Sequence, residues 1–247
     1  MAKNGETLSG TYGTEVKLCI ADGATVTLDG LTVNGVSSNL NNWAGITCLG
    51  DAIIILKGTN IVKGFHKYYP GIYVPEGKTL TIKGSGSLNA SSNYWAPGIG
   101  GGYEIACGNI VIENGTINAT GGQIYGAGIG GGFRASCGNI TIKGGTVNAL
   151  GGSWSAGIGG GAYDACGDIT ITGGTIYVEG GSFSAAIGTG RNGSCGNITI
   201  TNTVTSVTAD GYTSSIGPGF KGNYGVITIG GTIYPNGITT SPYTYKP

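Results

Sequence analysis

This chain is poor in the groups on which most enzyme chemistry depends. Its 247 residues include one histidine, and twelve basic side chains balance twelve acidic ones, so the formal charge is zero. No basic patch is available to follow a phosphate backbone or an anionic lipid surface, which argues against nucleic-acid and membrane partners. The longest apolar runs, such as residues 52–56, fall far short of a membrane span. No window places apolar residues at helical spacing over the ten or more positions a helix needs. No charged leader followed by an apolar segment precedes the strand-like sequence. Either the protein is intracellular or the sequence is a piece of a longer one; its glycine-rich, low-charge composition favours a piece excised from an extracellular or cell-surface protein.

What the chain has in abundance is glycine, 53 residues, arranged periodically. A cysteine followed by Gly-Asn-Ile or a close variant returns at Cys107, Cys137, Cys166 and Cys195, inside a unit of 29 or 30 residues. A fixed period of this size is the signature of a solenoid and overrides the disorder that such glycine content would otherwise imply. Each unit holds three short alternating stretches. The first is followed through Val26, Ile54, Leu80, Ile110, Ile140, Ile169, Ile198 and Ile227. The second runs through Leu88, Ile117, Val147, Ile176 and Ile233, and the third through Ile46, Ile72, Ile99, Ile129, Ile158, Ile187 and Ile216.

Alternation over four or five residues predicts strands. The predicted fold is all-β: a right-handed parallel β-helix of about eight coils of 26–30 residues, degenerate ends included, with three strands per coil. The whole of 1–247 reads as one domain, with residues 1–20 capping one end, coils over 21–233, and 234–247 capping the other. Gly121-Gly122, Gly151-Gly152 and Gly180-Gly181 are expected to supply positive φ at the corners.

The cysteine column is expected to be buried free thiol, because neighbours in a parallel ladder direct their Cβ atoms the same way; Cys19 and Cys48 occupy another column or extend this one. Asn109, Asn139 and Asn197, with Asp168, are expected to stack as a hydrogen-bonded side-chain ladder. Outward threonines, among them Thr141, Thr170 and Thr199, are too often interrupted, by Ile53, Ile55 and Val111, to make an ice-ordering array.

A polysaccharide lyase or hydrolase on such a scaffold needs clustered or paired carboxylates. The acids here, Glu6, Glu15, Asp22, Asp29, Asp51, Glu76, Glu104, Glu113, Asp164, Asp168, Glu179 and Asp210, are read as single and scattered, so no catalytic residues are assigned. His66 is read as a surface-loop residue. The GIGGG strings lack the Lys-Ser/Thr of a phosphate-binding loop, calcium-binding nonapeptides would need an aspartate absent from every copy, and a line of sulfurs without histidine does not make a tetrahedral metal site. No cofactor or metal is expected.

Aromatic residues remain. Trp95, Tyr125, Trp154, Phe183 and Tyr212 each precede the third-stretch isoleucine by four positions, extended by Trp43 and Tyr68 or Tyr69. They line either a core or an exposed strip. A second series, Tyr103, Phe133 and Tyr163, lies in the loops before the cysteines, flanked by Glu104, Arg134, Asp164 and Arg191 with alternating charge. Sugar rings are recognised by aromatic faces bordered by hydrogen-bonding groups, so these seven loop residues form the candidate ligand site.

The run Ile20-Ala21-Asp22-Gly23-Ala24-Thr25-Val26-Thr27-Leu28, the stretch YPGIYVPEGKTLTIKGSGSL and the GIGGG…CGNITI…GG units resemble glycine-rich β-helical repeat proteins of gut bacterial surfaces, often labelled carbohydrate-binding domain proteins. The resemblance covers nearly the whole chain and implies a β-helix. It carries no catalytic residues onto this sequence. The expected function is a non-catalytic glycan-binding or adhesive module with a polysaccharide partner. A structural or protein-binding stalk is the alternative, and a polysaccharide-degrading enzyme the third reading.

Overall fold

The computed structural model describes residues 1–13, 16–35 and 41–247; Glu15 lies outside them. The described residues form a parallel β-solenoid without helices. The first face contains Ala52–Lys57, Thr79–Gly84, Asn109–Ile112, Ile140–Ile142, Ile169–Ile171, Ile198–Ile200 and Ile227–Ile229. The second contains Thr59–Lys63, Ser87–Ser91, Thr116–Thr120, Thr146–Leu150, Thr175–Glu179 and Ser206–Asp210. At the N-terminal end Ala24–Val33 runs along both faces, and Thr7–Tyr12 pairs with it in parallel as one more partial coil. The third face is an eight-stranded sheet from Leu18–Ile20 to Ser214–Gly217; its strands delimit seven complete turns, so the expected eight coils include a partial one.

Identical residues stack because each coil repeats the last about 4.8 Å further along the rod. The third-face isoleucines form one unbroken column from Ile46 to Ile216, all fully buried. On the first face two columns point inward. Leu80, Ile110, Ile140, Ile169, Ile198 and Ile227 make one, continuing from Ala52, and Val26, Ile54, Ile82, Ile112 and Ile142 begin the other. The expected passage from Ile54 to Leu80 therefore slips two residues. It went unnoticed because a two-residue slip keeps a side chain on the same face. On the second face Val207, not Ile233, follows Ile176; Ile233 lies in an antiparallel turn strand and is 63% exposed. Burying each large aliphatic side chain contributes about 1.5–3 kcal/mol against the ordering cost of so much glycine.

The corner glycines act differently from expectation. The pairs at 121–122, 151–152 and 180–181 are not among the positive-φ residues. They are required because coils touch there: a Cβ on Gly152 would be driven into the carbonyl oxygen of Gly122, and one on Gly181 into that of Gly152. The left-handed demand falls on Gly100, Gly130, Gly159, Gly188 and Gly217, with φ between 130° and 142°. There an added Cβ would also meet the backbone oxygen of the next coil's equivalent glycine, except at the last of them. Both constraints explain the GIGGG string.

The polar ladder differs in kind from the one expected. Side-chain oxygens accept from the backbone N–H of the next coil: Asn109 Oδ1 from Asn139 at 2.9 Å, Asn139 from Asp168 at 2.9 Å, Asp168 from Asn197 at 2.7 Å and Asn197 from Val226 at 2.8 Å. These coil-to-coil bonds need only an acceptor, which is why aspartate substitutes at 168; Asn109 Nδ2 also donates to Thr79 Oγ1 at 3.4 Å. Asp22 and Asp51 do the same at the other end. Amides do bond to amides on the second face, where Asn148 donates to Asn118 at 2.7 Å and Asn118 to Asn89 at 2.8 Å.

Cys107 and Cys137 are joined by a disulfide across a Cα separation of 4.6 Å, correcting the expected all-thiol column. Adjacent coils bring the backbones within bonding range, and side-chain rotation closes the gap that parallel Cβ directions leave. Cys166 and Cys195 are free and buried; the hydrogen bond between the two side chains, then burial, raises the Cys166 pKa. Cys19 and Cys48 stand on third-face strands one register position apart, so they form no column, and burial pushes Cys48 up to about 12.

The tail folds back on the last coil. Tyr243–Tyr245 pairs antiparallel with Ser206–Asp210, and Tyr234, Tyr243 and Tyr245 pack on the core, which covers an edge that would otherwise invite another strand.

Candidate functional site

The two aromatic series are one feature. Their rings interleave along a single edge of the rod: Tyr68 stacks on Trp95 at 5.0 Å between centroids, Trp95 meets Tyr103 at 5.2 Å, and Tyr103 stacks on Phe133 at 5.3 Å. Phe133 continues to Tyr125 at 4.5 Å, Tyr125 to Trp154 at 5.4 Å, Trp154 to Phe183 at 6.5 Å and Phe183 to Tyr212 at 5.4 Å. The Trp95 series therefore belongs to neither of its expected settings alone. It lies outside the aliphatic core as a half-buried seam, whose rings become exposed toward the C-terminal end at Tyr163, Phe183, Tyr212 and Phe220.

Backbone hydrogen bonds correct the expected alignment of the loop series by one residue. Glu104 N donates to Phe133 O, Arg134 N to Ala162 O, Tyr163 N to Arg191 O and Asn192 N to Phe220 O. The column four positions after the third-face isoleucine therefore reads Tyr103, Phe133, Ala162, Arg191, Phe220. The next reads Glu104, Arg134, Tyr163, Asn192, Lys221, and every member has a left-handed φ between 49° and 67°. That conformation turns the side chains of the second column outward on a tight loop. At Ala162 the first column lacks a ring, and Tyr163 fills the gap, 5.6 Å from Phe133 and 6.4 Å from Trp154. Sequence matching by residue type misplaced Tyr163 and missed Phe220; counting four positions from each isoleucine would have found both.

Charges do not alternate along the seam. Arg134 pairs with Glu104 at 3.7 Å, with both side chains at least half exposed, a contact worth about 0–1 kcal/mol. Asp164 is turned onto its own loop, accepting from Ala165 N at 2.6 Å. The cations lie on rings: Lys67 is 5.0 Å from Tyr68 and 5.1 Å from Trp95, and Arg134 is 5.2 Å from Phe133. Arg191 is 4.1 Å from Trp154, and Lys221 is 5.5 Å from Phe220. Burial, then Glu104, holds the Tyr103 phenol above its ordinary pKa.

A groove of about 650 Å³ opens beside the seam's C-terminal end. Gln123, Ser153, Ser182, Glu179, Asp210 and Tyr212 are among its lining residues. Glu179 and Asp210 are register partners on adjacent coils, which corrects the expectation that no acids pair in this way. Asp22 and Asp51 likewise sit on adjacent coils, bridged by Lys78 at 3.4 and 3.8 Å. In the groove Tyr177 Oη donates to Glu179, and that bond raises the Tyr177 pKa; Ser241 Oγ donates to Asp210 at 2.7 Å. Among the described residues no cluster of three or more His, Cys, Asp or Glu is placed to hold a metal ion.

His66 is buried rather than a surface-loop residue. Its ring lies 4.6 Å from Tyr68 and 6.4 Å from Tyr69, and burial, then the Lys67 charge, lowers its pKa.

A family model described as a beta helix repeat matches residues 80–103, 110–133, 140–162 and 169–191. Those repeats begin on the Leu80, Ile110, Ile140, Ile169 column and end on Tyr103, Phe133, Ala162 and Arg191, the same register the backbone hydrogen bonds give. No curated protein and no solved structure matches the chain.

Proposed function

We propose that this parallel β-helix repeat protein is a glycan-binding module that lays an extended polysaccharide along its aromatic seam. The observation that carries the reading is the unbroken chain of rings from Tyr68 to Tyr212, with exposed members at its C-terminal end. An edge of stacked rings offers apolar faces at a repeat of about 4.8 Å, bordered by side chains that hydrogen-bond hydroxyls. Display on a cell surface or outside the cell fits this use. A contiguous strip of exposed apolar rings is the kind of surface patch that marks an interaction site.

The test is native gel electrophoresis of the whole chain in xylan, glucan, pectin and mucin glycans. Selective retardation is expected, weakened at least tenfold by Phe183→Ala with Tyr212→Ala, two exposed rings outside the core. Retardation unchanged by that pair, or none in any polymer, would leave a stalk or protein-binding adhesin as the better account.

A second reading has its own observation, the Glu179–Asp210 pair in a groove. A glycosidase needs two carboxylates that can flank a glycosidic bond, and this groove holds two. If the protein shortens the retarding polymer and Glu179→Gln abolishes new reducing ends, the module is an enzyme; an intact polymer leaves it a binding module.

A further inference from the structure

Among the described residues Arg191 and Lys221 lie on rings without an acid partner, as Lys67 does at the other end of the seam, and so differ from the cations that face carboxylates. Lys78 faces Asp22 and Asp51, Lys143 lies 3.3 Å from Glu113, and Arg134 has Glu104. Among the described residues no acid pairs with Arg191 or Lys221, and the buried Arg191 Nε has no hydrogen-bond partner. Arg191 occupies the position where Tyr103, Phe133 and Phe220 place rings, and its guanidinium is enclosed by three others: Trp154 at 4.1 Å, Phe183 at 5.6 Å and Phe220 at 5.8 Å. Flat walls hold a planar cation in a fixed orientation while satisfying none of its N–H donors. Phe220 is shared with Lys221 on its exposed side, so two cations without counter-ions border one exposed ring. The acid in the matching loop of the preceding coil, Asp164, accepts instead from Ala165 N.

We propose that this end of the seam recognises the anionic group of a carboxylated or sulfated glycan, which Arg191 holds by paired N–H donation and Lys221 neutralises, while the sugar lies on Phe183 and Tyr212. A guanidinium oriented by stacking presents two parallel donors that fit two oxygens of a carboxylate or sulfate, which a lysine alone cannot do. The whole chain has no net charge, so the preference would come from these two groups rather than from a diffuse field. This inference rests on the seam being a glycan site.

The experiment compares retardation of the whole chain in polygalacturonate and in its fully methyl-esterified form, and in dextran sulfate and dextran, at two salt concentrations. Stronger binding to the acidic member of at least one pair is expected, and which pair responds separates carboxylate from sulfate. Arg191→Gln and, separately, the exposed Lys221→Gln should each weaken acidic-polymer binding about tenfold and reduce its salt dependence, a larger loss than either causes for the neutral polymer. Lys221→Gln keeps the test valid should Arg191→Gln disturb packing on Trp154. Equal binding within both pairs, or acidic binding indifferent to both substitutions, would overturn the anion site and leave the glycan reading standing. Absence of binding to these polymers and to xylan, glucan and mucin glycans would overturn both.

Discussion

At the residue scale, the positive-φ glycines separate into two physical kinds that look alike in the sequence. Gly130 combines φ of 132° with a coil contact that leaves no room for a Cβ, whereas Gly77, at φ 72°, has nothing within 4 Å of an added Cβ. Alanine at 77 should cost about 1–2 kcal/mol for the left-handed conformation alone. At 130 the clash with Gly159 adds to that, for a total above about 3 kcal/mol. Thermal melts should show Gly77→Ala lowering Tm by about 2–6 °C and Gly130→Ala by clearly more. Equal losses would mean that inter-coil contact does not restrict position 130. Which kind a glycine belongs to was not legible from residue type alone, because the space around it is set by the neighbouring coil. The isoleucine columns were legible, since alternation with period two marks the inward side regardless of what lies across from it.

At the element scale, the sequence was misleading wherever one strand or loop changes length and another compensates. Glu179 and Asp210 are 31 positions apart (210 − 179) although the third-face isoleucines on either side, Ile187 and Ile216, are 29 apart (216 − 187). The turn between first and second faces gains two residues, from Ile171–Thr175 to Ile200–Ser206, and the following corner loses two, from Glu179–Ala185 to Asp210–Ser214. A fixed period cannot bring the two acids together; strand register does. The shortened corner also ends in Tyr212, the most exposed ring of the seam, where the groove opens. The loop holding His66 is a second irregular element, and it makes stability depend on pH. Burial lowers the folded-state pKa below the unfolded value of about 6.5, so the folded form resists taking up a proton. This contribution is complete above about pH 6.5 and is lost as the pH falls through the folded pKa. Tm should therefore rise from pH 5 to pH 7.5, and His66→Gln should flatten that rise. An unchanged slope would assign the pH dependence to other groups.

At the scale of the whole molecule, a rod of stacked coils converts a small motif into a long surface. One ring per loop, repeated, becomes a seam over several coils, and one missing ring at Ala162 is filled by its neighbour Tyr163. Two of the chain's three tryptophans, Trp95 and Trp154, lie on that seam, with Trp43 near its N-terminal end. Tryptophan emission therefore reports directly on whether a glycan occupies the rings. The decisive measurement is a fluorescence titration of the whole chain with the polysaccharide that retards it most. Saturable change in emission is expected, with a midpoint matching the gel affinity, and largely lost in Trp95→Phe with Trp154→Phe. Binding of the same affinity with no change in emission would place the glycan away from Trp95 and Trp154 and contradict the continuous seam as the binding site.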